Sequence, residues 1–430
     1  MSLITHRLPG LVLTDHEFRV PLDYTQPEGE QLMVFAREVV APSQEQRDLP
    51  WLVFFQGGPG GKSPRPDSRN GWLKRATEEY RVLLLDQRGT GRSTPVNEQT
   101  LSRRGTAEAQ AEYLMHFRAD AIIRDAEHIR GLLLGPEGRW SVLGQSYGGF
   151  CVVTYLSFAP EGLREAFITG GLPPLAHTAD EIYHMTYRRV LTQNLLYFAR
   201  YPDDQTRAQA IVAYLRANDV RLPNDEQLTP HRFQTLGMGF GMSDGFEELH
   251  YLLEEAFVEG ASGPELSQSF LYSVMSMVTF AGRPLYAVLH EPIYSQGVGP
   301  HWAAERVRTA YGEFVLEPGK PVYFTGEMIY PWMFAEDSTL RPLAAAAELL
   351  AQHDSWSRLY DAECLQHNTV PCAAAIYYDD MYVERVVSEE TARTIAGCRV
   401  WVTNEFQHNG LRADGELILG RLIAMVRGER

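Results

Sequence analysis

A serine set between glycines, a histidine in a late loop and a carboxylate ahead of that loop are the residues of this chain whose types and order fit acyl transfer. Residues 144–149 read Gly-Gln-Ser-Tyr-Gly-Gly and follow the apolar run Trp140-Ser-Val-Leu143 directly. A Gly-x-Ser-x-Gly turn behind a short strand lifts the serine hydroxyl, here that of Ser146, to the top of a sheet at a sharp strand-to-helix junction. Gly144 and Gly148 flank the serine because the backbone turns tightly and the following helix packs close, so a Cβ at either position would collide. Five residues of common types make a hypothesis, and its surroundings must supply the rest of the machinery.

An alcohol is a poor nucleophile at neutral pH, so Ser146 needs a histidine to take its proton and an acid to hold that histidine in the right tautomer. The carboxy-terminal part supplies both, each just after a strand-like run. Asp380 follows Ala373–Tyr378, and His408 lies in Asn404-Glu-Phe-Gln-His-Asn-Gly410, after Arg399–Val402. The stretch between them has room for one helix and one strand. Of 13 histidines His408 is the best-placed base, while His290, His353 and His367 have no strand before them and read as structural or exposed. Asp380 is preferred over its neighbour Asp379, one of which is free to cap the turn. A tetrahedral intermediate also needs two N–H donors. Tyr147 offers the first, and the loop Gln56-Gly-Gly-Pro-Gly-Gly61 behind the apolar run Trp51–Phe55 offers the second, from Gly58 or Gly57.

The elements that must position these groups follow from the pattern. Trp51–Phe55, Val82–Leu85 and Trp140–Leu143 are short apolar runs, each ending in a glycine-rich loop, with a helical stretch over 106–134 between the last two. Continuous apolar strands alternating with helices imply a mostly parallel sheet covered by helices on both faces, an α/β fold. Residues 32–40 read as part of an amino-terminal hairpin, and Phe167-Ile-Thr as a further strand. From 172 to 341 helical segments predominate (181–200, 205–216, 246–257 and 265–278), the pattern of an inserted cap. The core thus comprises 1–171 and 342–430, and in its second part Ala373–Tyr378 and Arg399–Val402 are strands, Ser388–Ile395 a helix capped by Ser388, and Gly415–Val426 the last helix.

Bulk properties narrow the functions. At 430 residues the chain has ample core, and 44% hydrophobic with 22% charged residues is an ordinary globular composition. A formal charge of −16 argues against nucleic acid as a partner, since phosphate binding draws on clustered Lys and Arg. No apolar run is long enough to cross a bilayer, and the first residues carry no secretory pattern, so a soluble, cytoplasmic protein without membrane contact is expected. Cys151, Cys364, Cys372 and Cys398 fit no zinc spacing and read as reduced thiols. No metal and no organic cofactor is implied.

The loop Gln56–Gly61, the sequence Asp86-Gln-Arg-Gly-Thr-Gly-Arg-Ser93 and the turn Gly144–Gly149 together resemble the three signatures of prolyl iminopeptidases, serine peptidases of the α/β-hydrolase fold that remove N-terminal proline from peptides. Asp-Gln-Arg-Gly-x-Gly-x-Ser is the most specific of the three. One position departs, because the family's His-Gly-Gly-Pro-Gly begins here with Gln56. Asp86–Ser93 itself reads as a loop packed beneath the site, with Asp86 or Arg88 in a buried ion pair rather than in direct chemistry. The resemblance implies an α/β-hydrolase core with a mainly helical cap and peptide substrates with a free amino terminus. It also implies cap carboxylates for the substrate ammonium. Glu291, in Tyr286-Ala-Val-Leu-His-Glu-Pro-Ile-Tyr294, resembles a cap-helix glutamate of the family, and Glu327 sits among aromatics in Phe324-Thr-Gly-Glu-Met-Ile-Tyr-Pro-Trp-Met-Phe334. An esterase or other acyl hydrolase of the same fold would carry the same serine, histidine, acid and donors.

Overall fold

A computed structural model describes residues 4–261 and 263–429; residues 1–3 of the amino-terminal stretch read above lie outside it. The chain opens with three antiparallel strands, β1 (Ile4–Leu8), β2 (Leu11–Pro21) and β3 (Gln31–Val40). It continues through β4 (Trp51–Phe55), β5 (Arg81–Leu85), β6 (Trp140–Gln145) and β7 (Leu163–Thr169). After β7 it leaves the sheet, and up to Gln366 the described elements are helices apart from a small hairpin of β8 (Phe257–Gly260) and β9 (Gly263–Leu266). It returns as β10 (Cys372–Tyr377) and β11 (Arg399–Thr403). One nine-stranded sheet results, in the order β1-β2-β3-β5-β4-β6-β7-β10-β11, and all pairs from β5 to β11 are parallel.

The apolar runs are continuous because the central strands are covered on both faces. Val53 and Phe55 of β4 point into a cluster with the helices Ala119–Leu134 and Tyr147–Phe158, while Leu52 and Phe54 point into a second one with Leu73 and the last helix, Gly415–Arg427. The edge strand β11 alternates instead, with Trp401 and Thr403 buried and its other residues exposed. β5 and β6 lie on opposite sides of β4, so the loops leaving β4 and β6 diverge at their carboxyl ends. In an open α/β sheet that is where a ligand site forms.

Three local expectations are corrected. The helical stretch over 106–134 is broken at Arg118, which is extended at φ −88° and ψ 179°. Its guanidinium turns inward and donates to the carbonyls of Pro292, Ser295 and Ser357 and to the Ser357 hydroxyl, tying the core to the insertion. The helices expected over 246–257 and 265–278 stop at Glu254 and start at Gln268, because Gly260, Gly263 and Pro264 favour a hairpin over a helix. Ser388 is no cap. Its helix runs Arg385–Thr394, and Ser388 lies buried one turn inside, its hydroxyl facing the Leu172 carbonyl at 3.4 Å.

Candidate active site

Four loops at the carboxyl ends of parallel strands converge on one cavity of about 500 Å³, lined among others by Ser146, His408, Gly58, Glu327 and Tyr286. Ser146 follows β6 at φ 55° and ψ −127°, a conformation that side chains rarely adopt and that the surrounding structure must hold. Its N–H donates to the Thr169 carbonyl of β7 at 3.0 Å, and the helix Tyr147–Phe158 begins at the next residue. A Cβ at Gly148 would fall on the Phe55 carbonyl, and one at Gly144 on the Gly148 carbonyl, so the two glycines are required by close backbone approach. A Cβ at Gly57 would lie 2.9 Å from the Ser146 Cβ, which places the glycine-rich loop after β4 directly against the serine.

His408 and Asp380 meet although they lie on different loops. His408 Nδ1 and Asp380 Oδ2 are 2.7 Å apart, with both side chains buried. The other carboxylate oxygen, Oδ1, accepts from the N–H groups of Tyr382 and Val383 at 2.8 and 3.0 Å, which fixes the plane of the acid. Burial alone would lower the His408 pKa, but the Asp380 charge and hydrogen bond outweigh it and hold the imidazole above its usual 6.5. Asp379 is separate, with its half-exposed carboxylate 3.7 Å from Arg189. Tyr382 packs edge-on to His408 at 4.7 Å, and its hydroxyl donates to the Met238 carbonyl of the insertion.

The two glutamates part company. Glu327 lines the cavity, and its Oε1 accepts from the Tyr286 hydroxyl at 2.5 Å. Burial, reinforced by the Glu327 charge, pushes the Tyr286 pKa well above its usual 10, so this phenol stays a donor. Buried His290 packs against Tyr286 and places Nε2 3.3 Å from the Glu327 carbonyl oxygen; burial lowers its pKa and keeps it neutral. Glu291 corrects the expectation drawn for it. Both of its oxygens are taken, accepting from the N–H groups of Ala303 and Ala304 at 2.9 Å each, so it caps the helix Ala303–Arg308 rather than facing the cavity. Burial, opposed by those two donors, raises its pKa to about 7. The residue that brings this segment to the cavity is Tyr286, five positions earlier.

Sequence reasoning did not single out Tyr286, Tyr382, Glu248 or Arg283, all on the cavity wall. Tyr382, two residues past Asp380, was open to inference from that proximity; Glu248 and Arg283 carried no local signal. The Asp86–Ser93 loop lies beneath the site in two ion pairs. Asp86 takes Arg65 in bidentate fashion together with the N–H groups of Ser63 and Arg92, and Arg88 is fully buried against Asp125. Gln87 Nε2 donates to the Gln56 carbonyl at 3.0 Å, linking this loop to the glycine-rich one. Among the described residues no cluster of His, Cys, Asp and Glu is arranged to hold a metal ion, and no helix is long and apolar enough to cross a membrane.

Comparison with known proteins places this geometry. Residues 50–246 match the family model described as the alpha/beta hydrolase fold. A proline iminopeptidase of Aeromonas sobria is 49% identical over 427 residues, 99% of this chain and 99% of that one. Proline iminopeptidase aneH of Aspergillus aculeatus is 33% identical over 98% of this chain and 95% of its own. A proline iminopeptidase of Arabidopsis thaliana matches over a shorter stretch, 31% identical over 28% of this chain and 26% of that one. With two relatives of one name aligned along nearly their whole length, on a sheet of this topology, the chain belongs to the proline iminopeptidase family of α/β hydrolases.

Proposed function

We propose that the chain is a serine aminopeptidase that releases N-terminal proline from peptides through an acyl-enzyme. The observation that carries this reading is a carboxylate, Glu327, on the wall of the cavity that also holds Ser146 and the His408–Asp380 pair. A free amino terminus needs a carboxylate partner in a site partly cut off from water, and Glu327 with its Tyr286 donor provides one. Ser146 Oγ attacks the carbonyl carbon of the first residue while His408 Nε2 accepts its proton, and Asp380 holds the other ring nitrogen. The N–H groups of Tyr147 and Gly58 receive the oxyanion. The intermediate then collapses, the peptide amine leaves with the proton from His408, and water releases proline by the same steps in reverse order. The four cysteines are unpaired, which fits a cytoplasmic enzyme.

The test compares prolyl p-nitroanilide, its N-acetylated form and p-nitrophenyl acetate. Only the first should be turned over efficiently, and Glu327→Gln should lower its kcat/KM roughly thirtyfold or more, about 2 kcal/mol of lost ion pairing, with little effect on the acetate. Equal rates on the free and blocked amines would make the protein a general acyl hydrolase instead.

A further inference from the structure

A second cavity, of about 510 Å³, adjoins the first across His408, Gln56, Gln145 and Met242. Ser146 and Glu327 line only the first cavity; Trp72, Phe54 and Pro66 line only the second. We propose that this second cavity receives the residue after the scissile bond and selects for a large apolar side chain there. The inference deepens the aminopeptidase reading and rests on it.

The direction follows from the chemistry. The acyl half of the substrate is held between Ser146 and Glu327, so the leaving amine must come to the imidazole that gives it a proton. The chain beyond that amine then runs past His408 on the side away from Glu327, and that side opens into the second cavity. Its wall suits an apolar side chain. Trp72 is half-buried and stacks on Phe54 with ring centroids 4.6 Å apart, a platform fixed in place before any ligand arrives. Another part of its wall, residues 64–68, has no regular secondary structure and is pinned through Arg65 and the preceding Ser63. Ser63 N–H and both terminal nitrogens of Arg65 bond the Asp86 carboxylate, and the Ser63 hydroxyl donates to the Leu85 carbonyl at 2.7 Å. Asp86, fully buried and on the wall of neither cavity, thereby holds one wall of the leaving-group site in position.

The experiment measures kcat/KM for Pro-Phe-amide and Pro-Gly-amide with the full chain and with Trp72→Ala. The parent should favour the phenylalanine substrate by about tenfold or more, and Trp72→Ala should lower that ratio at least about fivefold, within the range of a lost apolar subsite. Competitive inhibition by Phe-amide against Gly-amide, measured on the unaltered chain with prolyl p-nitroanilide, gives the same ranking without any substitution, and stronger inhibition by Phe-amide is expected. Equal kcat/KM for the two substrates, equal inhibition by the two amides, or a parallel loss on both substrates in Trp72→Ala would each overturn the proposal while leaving the aminopeptidase reading intact. No turnover of either substrate would overturn the aminopeptidase reading and this inference with it.

Discussion

At the scale of single residues the proposed mechanism depends on His408 being neutral when Ser146 gives up its proton. Because the Asp380 charge holds the His408 pKa above 6.5, the acid limb of kcat/KM should have its midpoint above 6.5, with rate lost as pH falls through it. Asp380→Asn removes the charge and leaves burial, so the same limb should move to lower pH while kcat drops by a factor on the order of 10³–10⁴. Asp379→Asn, altering a half-exposed carboxylate that only approaches Arg189, should change the rate by less than about threefold. If the two substitutions exchanged effects in a pH–rate series, the acid would be misassigned. The preference for Asp380 was available from its place behind a strand. What local sequence did not show is why its orientation is fixed: the N–H groups of Tyr382 and Val383 bond the oxygen that His408 leaves free, an arrangement set by how the chain turns after β10.

At the scale of elements, Glu291 belongs to a helix terminus. Its two oxygens satisfy the first N–H groups of Ala303–Arg308, donors that otherwise lie buried and unpaired at the start of a helix. Glu291→Ala should therefore cost about 1–3 kcal/mol of stability in urea unfolding, without the selective rise in KM for free-amine substrates that loss of an ammonium anchor would produce. The group's pKa is raised from 4.5 to about 7 in the folded chain, so its contribution is complete below pH 4.5 and declines as pH rises through about 7. The margin between parent and variant should accordingly be larger at pH 5.5 than at pH 8, and a margin that grows with pH would contradict the assignment. The difference between Glu291 and Glu327 shows where sequence reading stops. Strand runs, the Ser146 turn and the His408 loop are local patterns whose chemistry is written in consecutive residues. Which side of a cap helix faces the cavity depends on packing between segments far apart, and nothing within residues 286–294 separates Tyr286, which reaches the cavity, from Glu291, which reaches a neighbouring helix. The hairpin of β8 and β9 was hidden for a similar reason: its glycines and proline punctuate helices as readily as they turn strands.

At the scale of the whole molecule, the helical insertion behaves as part of the core. One apolar cluster runs without a break from Val142 and Phe150 beside the sheet, through Tyr183 and Tyr286, to Phe324 and Met333 in the insertion. Polar ties cross the same boundary. Arg118 donates to the Pro292 and Ser295 carbonyls, the Arg189 guanidinium pairs with Glu384 at 2.9 Å, and the His408 N–H donates to the Gly241 carbonyl at 3.1 Å. The last of these means that the loop bearing His408 is held by the insertion, so the geometry of the site requires both parts to be folded together. Heating should then give one transition, with far-UV circular dichroism, tryptophan fluorescence and peptidase activity lost at the same temperature. The seven tryptophans suit this test because Trp51, Trp72, Trp140, Trp356 and Trp401 report on the core side and Trp302 and Trp332 on the insertion. Arg118→Ala leaves three carbonyls and a hydroxyl without their donor, an effect of about 3 kcal/mol that should lower the single midpoint by a few degrees without splitting it. An insertion that unfolds as a separate body would reveal itself as two resolved transitions, the first abolishing activity while the fluorescence of the core-side tryptophans stays native, and the Arg118 substitution would then widen the gap between them.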